Sequence, residues 1–349
     1  MAYTDIDKPS DYFNTVTYTG NGTAIGSGGN AITGVGFQPD WVWIKDRTST
    51  NNHNLFDVVR GVTKGLQSSS TIAEYTNTET VSTFDSDGFT VGNAGGLNTN
   101  TNNYVSWNWL TDNTSGSSNT DGSITSTVSA STTSGFSIVS YTATGSATNF
   151  GHGLGVAPSV VIIKDRNGTA GSGWLVGHTA IGMTNYLKLN TTAASTNNTD
   201  VYSQNASSSL VYIGTSAAVN ESGKNYICYC FAEKQGYSKF GSYVGNGSTD
   251  GTFVYTGFKP AFLITKMYNT TGGSWGIVDG TRNEFNVVNK WNFADSSGAE
   301  FSAVNVCDFL SNGFKFRAAD TSSNSSGNSY IYMAFAEEPL VGDNPATAR

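Results

Sequence analysis

Apolar and polar residues alternate in three segments that align with one another without gaps. The segments are NYVSWNWL (103–110), NYICYCFA (225–232) and SYIYMAFA (329–336). In the second segment, Ile227, Tyr229 and Phe231 occupy alternate positions, and large residues stand at the matching positions of the other two. Two residues is the period of a strand, so each segment predicts a β-strand with these residues on its core face. The residues between them predict an opposite face that is half covered or wet.

Two further shared segments indicate that the chain contains three copies of one unit. One is a proline followed by a run that is apolar on both faces, in GFQPDWVWIKDR (36–47), GVAPSVVIIKDR (155–166) and GFKPAFLITKMY (257–268). The other opens each copy, as YTGNG (18–22), YTATGS (141–146) and YVGNGS (243–248). A run that is apolar on both faces predicts a central, well-covered strand. A repeat of about 100 residues can close a core of its own, so we expect three independent units in a row.

Turn signals inside the repeats favour an all-β fold. FDSDGFTVG (84–92) and FLSNGFKFR (309–317) have the pattern of a strand, a tight turn and a strand, whereas SSLVYIGTS (208–216) has lost the turn. Paired glycines in DVVRGVTKGL (57–66) favour a turn over a short helix. With seven or eight short strands in each repeat, the pattern predicts three tandem β-sandwich modules of jelly-roll or lectin-like type. An immunoglobulin-like sandwich is the alternative.

The repeats divide the chain into six parts. These are an N-terminal arm (1–11), repeat 1 (12–112), a Ser/Thr/Gly-rich linker (113–134), repeat 2 (135–234), repeat 3 (237–339) and a C-terminal tail (340–349). The predicted linker contains no aromatic residue and holds the extra residues at the first join, so we expect proteases to cut there first. Its SITSTV run (123–128) is the stretch that could pair as a strand.

Charge and hydropathy exclude several classes of function. The chain has 18 Lys and Arg against 26 Asp and Glu, a net charge of −8, and its cations form no cluster. Nucleic acid requires many cations on one face, so it is not an expected partner. No apolar run reaches the length of a membrane span, and the N-terminus lacks the basic and apolar regions of a signal peptide. We therefore expect no membrane insertion and no secretion signal.

No catalytic, cofactor-binding or metal-binding residue is predicted. His53, His152 and His178 stand at unrelated repeat positions and have no metal-ligand spacing. His152 lies in a glycine-rich stretch, and we expect it in a surface loop. No pair of carboxylates indicates glycosidase chemistry.

The three cysteines are predicted to be reduced, structural thiols. Cys228 and Cys230 share one face of a strand, where a spacing of two residues is too long for an unstrained disulfide. Ser106 and Asn108 take their places in repeat 1, and Cys307 stands alone in repeat 3. A metal or redox role is the weaker alternative.

A lysine recurs at the same place in each repeat, as Lys45, Lys164 and Lys266. One interpretation is that each stem leaves the core and carries its ammonium group to solvent. The other is that each ammonium group pairs with a nearby acid, the candidates being Asp46, Glu233 and Glu337. Either role is structural, and a binding role repeated three times is the minor alternative.

Acidic turns offer oxygen atoms that calcium could use. Asp85, Asp87 and Gly88 lie in DSDG, and Asp250 lies in STDG. Neither segment has the full spacing of an EF-hand loop, and ordinary tight turns use the same residues. The turn interpretation is therefore favoured.

Segments along almost the whole chain resemble a repeat family found among virion structural proteins of tailed bacteriophages. They are DKPSDYFNT, GFQPDWVWIKDR, NLFDVVRGVTKG, STFDSDGFTVG, NTDGSITSTVSA, GHGLGVAPSVVIIKDR, SKFGSYVGNGSTDG, DFLSNGFKF and YIYMAFAEEP. The resemblance implies a non-enzymatic virion protein, a tail-fibre or host-attachment subunit, and it brings no catalytic residues. A capsid decoration protein and a carbohydrate-binding, lectin-like module are the alternatives.

The same resemblance implies where the protein is made and what it meets. A virion protein is synthesised in the host cytoplasm and released by lysis, which needs no signal peptide and suits reduced cysteines. The implied partners are other virion proteins, further copies of this chain and a host surface glycan. No cofactor is implied.

Overall fold

The computed structural model describes Thr4, residues 6–168, residues 173–341 and Pro345, and its regular structure is almost entirely β-strand. The predicted all-β class is confirmed. Repeat 1 contains the strands β1 (Phe13–Thr19), β2 (Asn30–Ile32), β3 (Trp41–Asp46), β4 (Asn54–Asp57), β5 (Lys64–Gly65), β6 (Tyr75–Thr76), β7 (Val81–Asp85), β8 (Gly88–Val91) and β9 (Asn103–Trp109). Its helical turns are Ile25–Ser27 and the four-residue helix α1 (Gly95–Asn98), and a further turn, Pro9–Asp11, lies in the N-terminal arm.

The rest of the chain continues in the same manner. Two strands precede repeat 2, namely β10 (Ser117–Asn119) and β11 (Ser126–Ser131). Repeat 2 contains β12 (Phe136–Thr142), β13 (Thr148–Gly151), β14 (Val160–Asp165), β15 (Trp174–His178), β16 (Asn185–Lys188), β17 (Thr196–Asn197), β18 (Leu210–Ile213), β19 (Asn225–Phe231), a 3-10 turn (Thr179–Ile181) and α2 (Ala217–Asn220). Repeat 3 contains β20 (Ser238–Val244), β21 (Phe253–Tyr255), β22 (Phe258–Met267), β23 (Gly276–Asp279), β24 (Asn292–Phe293), β25 (Cys307–Leu310), β26 (Gly313–Phe316) and β27 (Ser329–Pro339).

Each repeat builds its larger sheet in the same antiparallel order. The order is β1-β9-β3-β4 in repeat 1, β12-β19-β14-β15 within a longer sheet in repeat 2, and β20-β27-β22-β23 in repeat 3. The opening and closing tyrosines are cross-strand partners in every repeat, as Tyr18–Tyr104, Tyr141–Tyr226 and Tyr243–Tyr330. Their rings stack with centroids 5.0, 5.2 and 5.0 Å apart. The three copies seen in the sequence are therefore equivalent in structure.

The proline-containing segments enter equivalent central strands. Pro39 and Pro158 lie just before β3 and β14, whose residues are buried throughout, as a run apolar on both faces predicts. Pro260 differs because it lies inside β22, where the pairing with β27 shifts register on both sides of it. Proline lacks the N–H that a ladder requires, so the strand continues only through an irregular step.

A smaller sheet accompanies the larger sheet of each repeat. These sheets are β2-β8-β7, β13-β18 and β21-β26-β25. A hydrophobic cluster belongs to each repeat; in repeat 1 it joins Val42 and Ile44 of β3 to Phe89 and Val91 of β8. The predicted hairpins are confirmed, because Asp85 pairs with Gly88 and Leu310 pairs with Gly313. Residues 58–60 form a turn, as the glycines predicted.

Both faces of the closing strands are buried, whereas the sequence predicted one face that is half covered or wet. Cys228 and Cys230 face the cluster inside repeat 2, together with Tyr226. Tyr229 and Phe231, on the opposite face, belong to a cluster shared with the other repeats. Small or polar residues can lie in a core where space is limited, and alternation alone does not distinguish such a face from a wet one.

The repeats are not independent units in a row, and that prediction is wrong. One hydrophobic cluster contains side chains from all three larger sheets. At its centre the equivalent residues Trp109, Phe231 and Phe335 form a triangle, with ring centroids 6.5, 5.9 and 5.6 Å apart. An approximate threefold axis therefore passes between them. Each repeat has large residues on both faces of its main sheet, so one face remains to be buried against the other repeats.

The segment 113–134, predicted to be a linker, is folded. Its strands β10 and β11 extend the larger sheet of repeat 2 beyond β12. Ile124 and Val128 are buried in the cluster of that repeat, and Ile124 forms a bridge to Phe150. Two apolar residues among many Ser and Thr are a weak sequence signal for a strand. The segment nevertheless forms one, because the edge of the adjacent sheet supplies hydrogen-bond partners for its backbone.

The described ends of the chain pack against the repeats. In the predicted N-terminal arm, Ile6 and Pro9 are buried, and Ile6 joins the shared cluster. Most of the predicted tail, 340–349, lies outside the described residues. In the part of the chain that the structure describes, no helix has the length and hydropathy needed to cross a membrane.

Candidate functional site

The three junctions between repeats contain some of the side chains singled out in the sequence, namely Lys45, His53, Lys164 and His178. At each junction the residue that follows a central strand accepts a backbone hydrogen bond from a neighbouring repeat. The pairs are Glu300 N to Arg47 O at 3.0 Å, Glu74 N to Arg166 O at 2.9 Å and Ser195 N to Tyr268 O at 2.8 Å. Repeat 1 thus contacts repeat 3 directly, and the three repeats close a ring.

At each junction, an aromatic residue at an equivalent position donates a hydrogen bond from a ring nitrogen to the neighbouring repeat. His53, Trp174 and Trp275 are these equivalent residues, opposite Lys45, Lys164 and Lys266 on the neighbouring strand. His53 Nε2, Trp174 Nε1 and Trp275 Nε1 donate to the carbonyls of Phe293, Gln67 and Lys188 at 3.0, 2.8 and 2.9 Å. His53 Nδ1 accepts a hydrogen bond from Trp43 Nε1 at 2.8 Å, which fixes the neutral tautomer. Burial, with the charge of Lys45, lowers the pKa of His53 well below its ordinary value.

A buried ionic chain fastens repeat 1 to repeat 2. Arg60 pairs with Asp57 of its own repeat and with Glu74 Oε2 at 3.3 Å. Glu74 also accepts two hydrogen bonds, both at 2.9 Å, from Arg166 of repeat 2. Tyr229 of repeat 2 donates to Asp57 at 2.7 Å. Burial alone would raise the pKa of Glu74, but the two arginines outweigh it and hold that pKa below its ordinary value.

The junction between repeats 3 and 1 carries an equivalent chain. Arg282 pairs with Asp279 and with Glu300 at 3.0 Å, and Glu300 binds Arg47 of repeat 1 through two hydrogen bonds of 2.8 and 3.0 Å. Trp107 of repeat 1 takes the place of Tyr229, because its Nε1 donates to Asp279 at 3.0 Å. The guanidinium carbon of Arg282 lies 5.4 Å from the centroid of the Trp107 ring, in a cation–π contact.

Among the described residues, the junction between repeats 2 and 3 has no such chain. His178, Ile181 and Ser195 stand where repeat 1 has Asp57, Arg60 and Glu74. Across the junction, Tyr268 and Met333 stand where repeat 2 has Arg166 and Tyr229. His178 Nε2 contacts the carbonyl of Tyr332 at 3.3 Å, and burial lowers the pKa of His178 to about 4. The approximate threefold symmetry therefore holds for the backbone and not for the charges.

The repeated lysines follow neither predicted arrangement. Lys45, Lys164 and Lys266 are fully buried, and their ammonium groups donate to backbone carbonyls. The acceptors are Asp46 O (2.8 Å), Asn51 O (2.8 Å) and Ser297 O (3.2 Å) for Lys45, Asp165 O (2.7 Å) and Thr71 O (3.5 Å) for Lys164, and Gly273 O (2.6 Å) for Lys266. Burial lowers the pKa of each lysine to about 8. Snorkelling and pairing with an acid are both wrong, because the ammonium groups are buried and donate hydrogen bonds to backbone carbonyls.

The acids proposed as partners have other roles. Asp46 accepts hydrogen bonds from the backbone N–H groups of Thr48 and Ser49, and from the side chains of Asn51 and Asn102. Glu233 pairs with Lys239, and Glu337 pairs with Lys259 at 3.2 Å.

His152 and the cysteines are core residues. His152 is buried, not on the surface as predicted, since its Nε2 contacts the carbonyl of Ser207 at 3.2 Å and its Nδ1 accepts from Leu154 N. Cys228, Cys230 and Cys307 are free thiols, and all three are buried. The Sγ atoms of Cys228 and Cys230 lie 3.5 Å apart, closer than their spacing suggested but well beyond a disulfide bond of about 2 Å. Burial raises the pKa of Cys228 well above its ordinary value.

The carboxylates of the acidic turns bind protein groups of their own repeat. Asp87 accepts from the backbone N–H groups of Gly34 and Gly36, and Asp85 accepts from Thr90 at 2.8 Å. Asp250 forms an ion pair with Lys315. Within the described residues, no group of three His, Cys, Asp or Glu side chains is arranged to hold one metal ion.

The profile of a domain of unknown function, DUF7483, matches residues 8–339 of this chain. The chain belongs to the DUF7483 family. No curated protein and no solved structure matches it. The DUF7483 match covers all three repeats and the folded segment before repeat 2, which agrees with the single closed ring described above.

The residues that fasten this DUF7483 ring were not singled out in the sequence. They are Asp57, Arg60, Glu74, Asp279, Arg282 and Glu300. A signal was present, because NLFDVVRG (54–61) and GIVDGTRN (276–283) share an acid followed three residues later by an arginine. Through Arg47 and Arg166, these charges connect neighbouring repeats at two of the three junctions.

Proposed function

We propose that this protein is a non-enzymatic virion structural protein of a bacteriophage, and specifically a tail-fibre or host-attachment subunit. The observation that carries the proposal is the closed ring around Trp109, Phe231 and Phe335, fastened by ionic chains at two junctions. Such a ring presents three related surfaces, one from each repeat. Repeated surfaces suit adhesion and assembly, since weak contacts multiply when they are linked.

We propose in addition that each repeat is a β-sandwich module of jelly-roll or lectin-like type. A larger antiparallel sheet of constant strand order, a smaller sheet and an apolar cluster in every repeat support this. The bound partners in this proposal are other virion proteins, further copies of the chain and a glycan of the host surface.

The chemistry of the junctions favours a structural role over a catalytic one. Arg60 and Arg282 are fully buried, and their acids Asp57 and Asp279 are buried with them. A general acid or base must reach a substrate proton, directly or through one water molecule. These charged groups instead satisfy one another inside the ring.

Purified phage particles that carry this gene test the proposal. We expect mass spectrometry to detect the protein in the particles, in tens of copies for a fibre, and immunogold labelling to mark the tail. Labelling over the head would replace the attachment role with capsid decoration. Absence from purified particles, or hydrolysis of host polysaccharide by the pure protein, would overturn the proposal.

A further inference from the structure

A polar cleft of about 240 Å³ opens on repeat 1, next to helix α1. Five amide side chains and one phenol line it, namely Asn51, Asn52, Asn54, Gln67, Asn77 and Tyr75. The remaining lining residues are uncharged, so the cleft offers neither a cation nor a carboxylate. Its volume lies just below the range of about 300–1,000 Å³ for sites that hold drug-sized molecules, so it has room for a single ring.

Hydrogen bonds hold these side chains in place before any ligand arrives. Tyr75 donates to Asn54 Oδ1 at 2.7 Å, Asn54 Nδ2 donates to Asn52 O at 3.0 Å, and Asn52 Nδ2 donates to Gln67 Oε1 at 2.9 Å. These bonds use the oxygen of Gln67. Among the described residues, no hydrogen bond involves its Nε2, so both protons of that amide are available to a ligand.

Two glycines keep the cleft open, and only repeat 1 has them. Gly95 and Gly96 stand where repeat 2 has Ala217 and Ala218. A Cβ on residue 96 would lie 3.0 Å from Asn54 Nδ2, whereas a Cβ on residue 95 would meet only Thr99 Oγ1, at 3.9 Å. The amide at the base is also particular to this repeat, because the positions equivalent to Asn54 hold Leu175 and Gly276.

We infer that this cleft binds one ring of a neutral saccharide. Sugar hydroxyls both donate and accept hydrogen bonds, and an amide side chain supplies both partners from one planar group. A phosphate or carboxylate ligand would lose its hydration without meeting a compensating cation, which is costly. Tyr75 and Ala94 supply apolar surface for the C–H face of the ring.

The inference deepens the proposed attachment role, and the biological source of the sugar rests on that role. A host-surface polysaccharide would present the ring as part of a chain, so binding at this cleft would join the ring-shaped body to the cell. The chemistry of the cleft stands on the lining residues alone. Particle composition and sugar binding are therefore separate measurements, and either can fail without the other.

Saturation-transfer NMR on the full chain tests the cleft. The probes are glucose, galactose, mannose and N-acetylglucosamine at about 10 mM, suited to the millimolar affinity of a single ring. Glucuronate and glucose 6-phosphate serve as charged comparators. We expect transfer to at least one neutral sugar and a signal at least about fivefold weaker for its charged counterpart. A neutral polysaccharide ending in the same sugar should compete for the cleft if the natural ligand is the end of a sugar chain. If the polysaccharide does not compete, the ligand is the free sugar.

Two variants locate the site. Gly95→Leu should abolish transfer because the side chain fills the cleft, and Ala217→Leu at the equivalent place of repeat 2 is the matched control that should retain it. Gln67→Ala removes the free amide donor while its backbone bond from Trp174 remains, and should weaken binding about fivefold to tenfold. No transfer from any neutral sugar would overturn the inference, as would equal transfer in both leucine variants and wild type.

Discussion

Trp109 of the first repeat lies edge-on to Phe335 of the third, with ring centroids 5.6 Å apart and planes at 73°. Residues that stand more than two hundred positions apart in the chain thus share one core, and the first and last repeats are neighbours. This contact turns a row of three units into a ring. We therefore expect the three repeats to unfold together and not one by one.

Truncating the central aromatic residues should weaken all three repeats together. Phe231→Ala removes a ring that is 1% exposed, and we expect a loss of about 3–5 kcal/mol in the free energy of unfolding. Calorimetry should show one transition at a lower temperature. Phe285→Ala, at a side chain that is 70% exposed, is the control and should change little. Separate melting of the repeats would contradict a shared core.

Breaking an ionic chain should cost more than altering the junction that lacks one. Arg60→Ala leaves Asp57 buried without its partner, so we expect a loss of about 3–5 kcal/mol by urea unfolding. Ile181→Ala, at the equivalent position of repeat 2, should cost less because no charge is left unpaired. Equal losses in the two variants would show that the buried charges do not fix the junction.

Stability should fall in mild acid through the buried histidines. The folded protein keeps His178 neutral down to about pH 4, whereas the unfolded chain takes up the proton near its ordinary pKa of 6.5. Between these values the unfolded state binds more protons, so stability decreases as pH falls, by about 1.4 kcal/mol per pH unit. The pKa values of His53 and His152 are lowered in the same direction.

His178→Gln isolates this contribution. Urea unfolding at about pH 7 and about pH 5 should show a decrease about 2 kcal/mol smaller in the variant than in wild type. Any constant cost of the substitution cancels in this comparison. Identical decreases in the two proteins would mean that His178 is not held neutral by burial.

The segment before repeat 2 should resist hydrogen exchange. The backbone of β11 pairs with β12 along residues 127–131 and with β10 along residues 126–128, so its paired amides should exchange as slowly as those of β12. Exchange followed by mass spectrometry can compare residues 126–131 with the exposed loop at 113–116. Rapid exchange in both stretches would restore the interpretation of this segment as a linker.

The sequence predicted the strands well because burial of every second residue appears directly as an alternation of apolar and polar residues. Shared tyrosines such as Tyr18 and Tyr104 also revealed the equivalence of the repeats, which the register confirms. The arrangement of the repeats was predicted wrongly, because an apolar face does not reveal whether it contacts its own small sheet or another repeat. Nothing in the sequence indicates whether Trp107 and Phe231 pack against their own repeat or against another.

The junction residues escaped prediction for a related reason. Arg60 and Glu74 are charged, and charged residues usually mark a solvated surface. Arg60 is nevertheless buried and Glu74 is partly buried, because Arg166 of another repeat completes the pairing. The cleft of repeat 1 was equally hidden, since its amides come from β4 and from separate connecting segments that approach one another only after the sheets form.

Fusion of the three repeats into one polypeptide has a consequence for how they can change. In an assembly of three identical chains, any substitution appears at all three interfaces at once. A charged pair at one interface is then present at the other two as well. Here each junction is encoded separately, and two keep an arginine chain while the third has Ile181 and Met333. A single gene thus frees the interfaces to diverge, and one surface of one repeat can take on a task that the other two do not share.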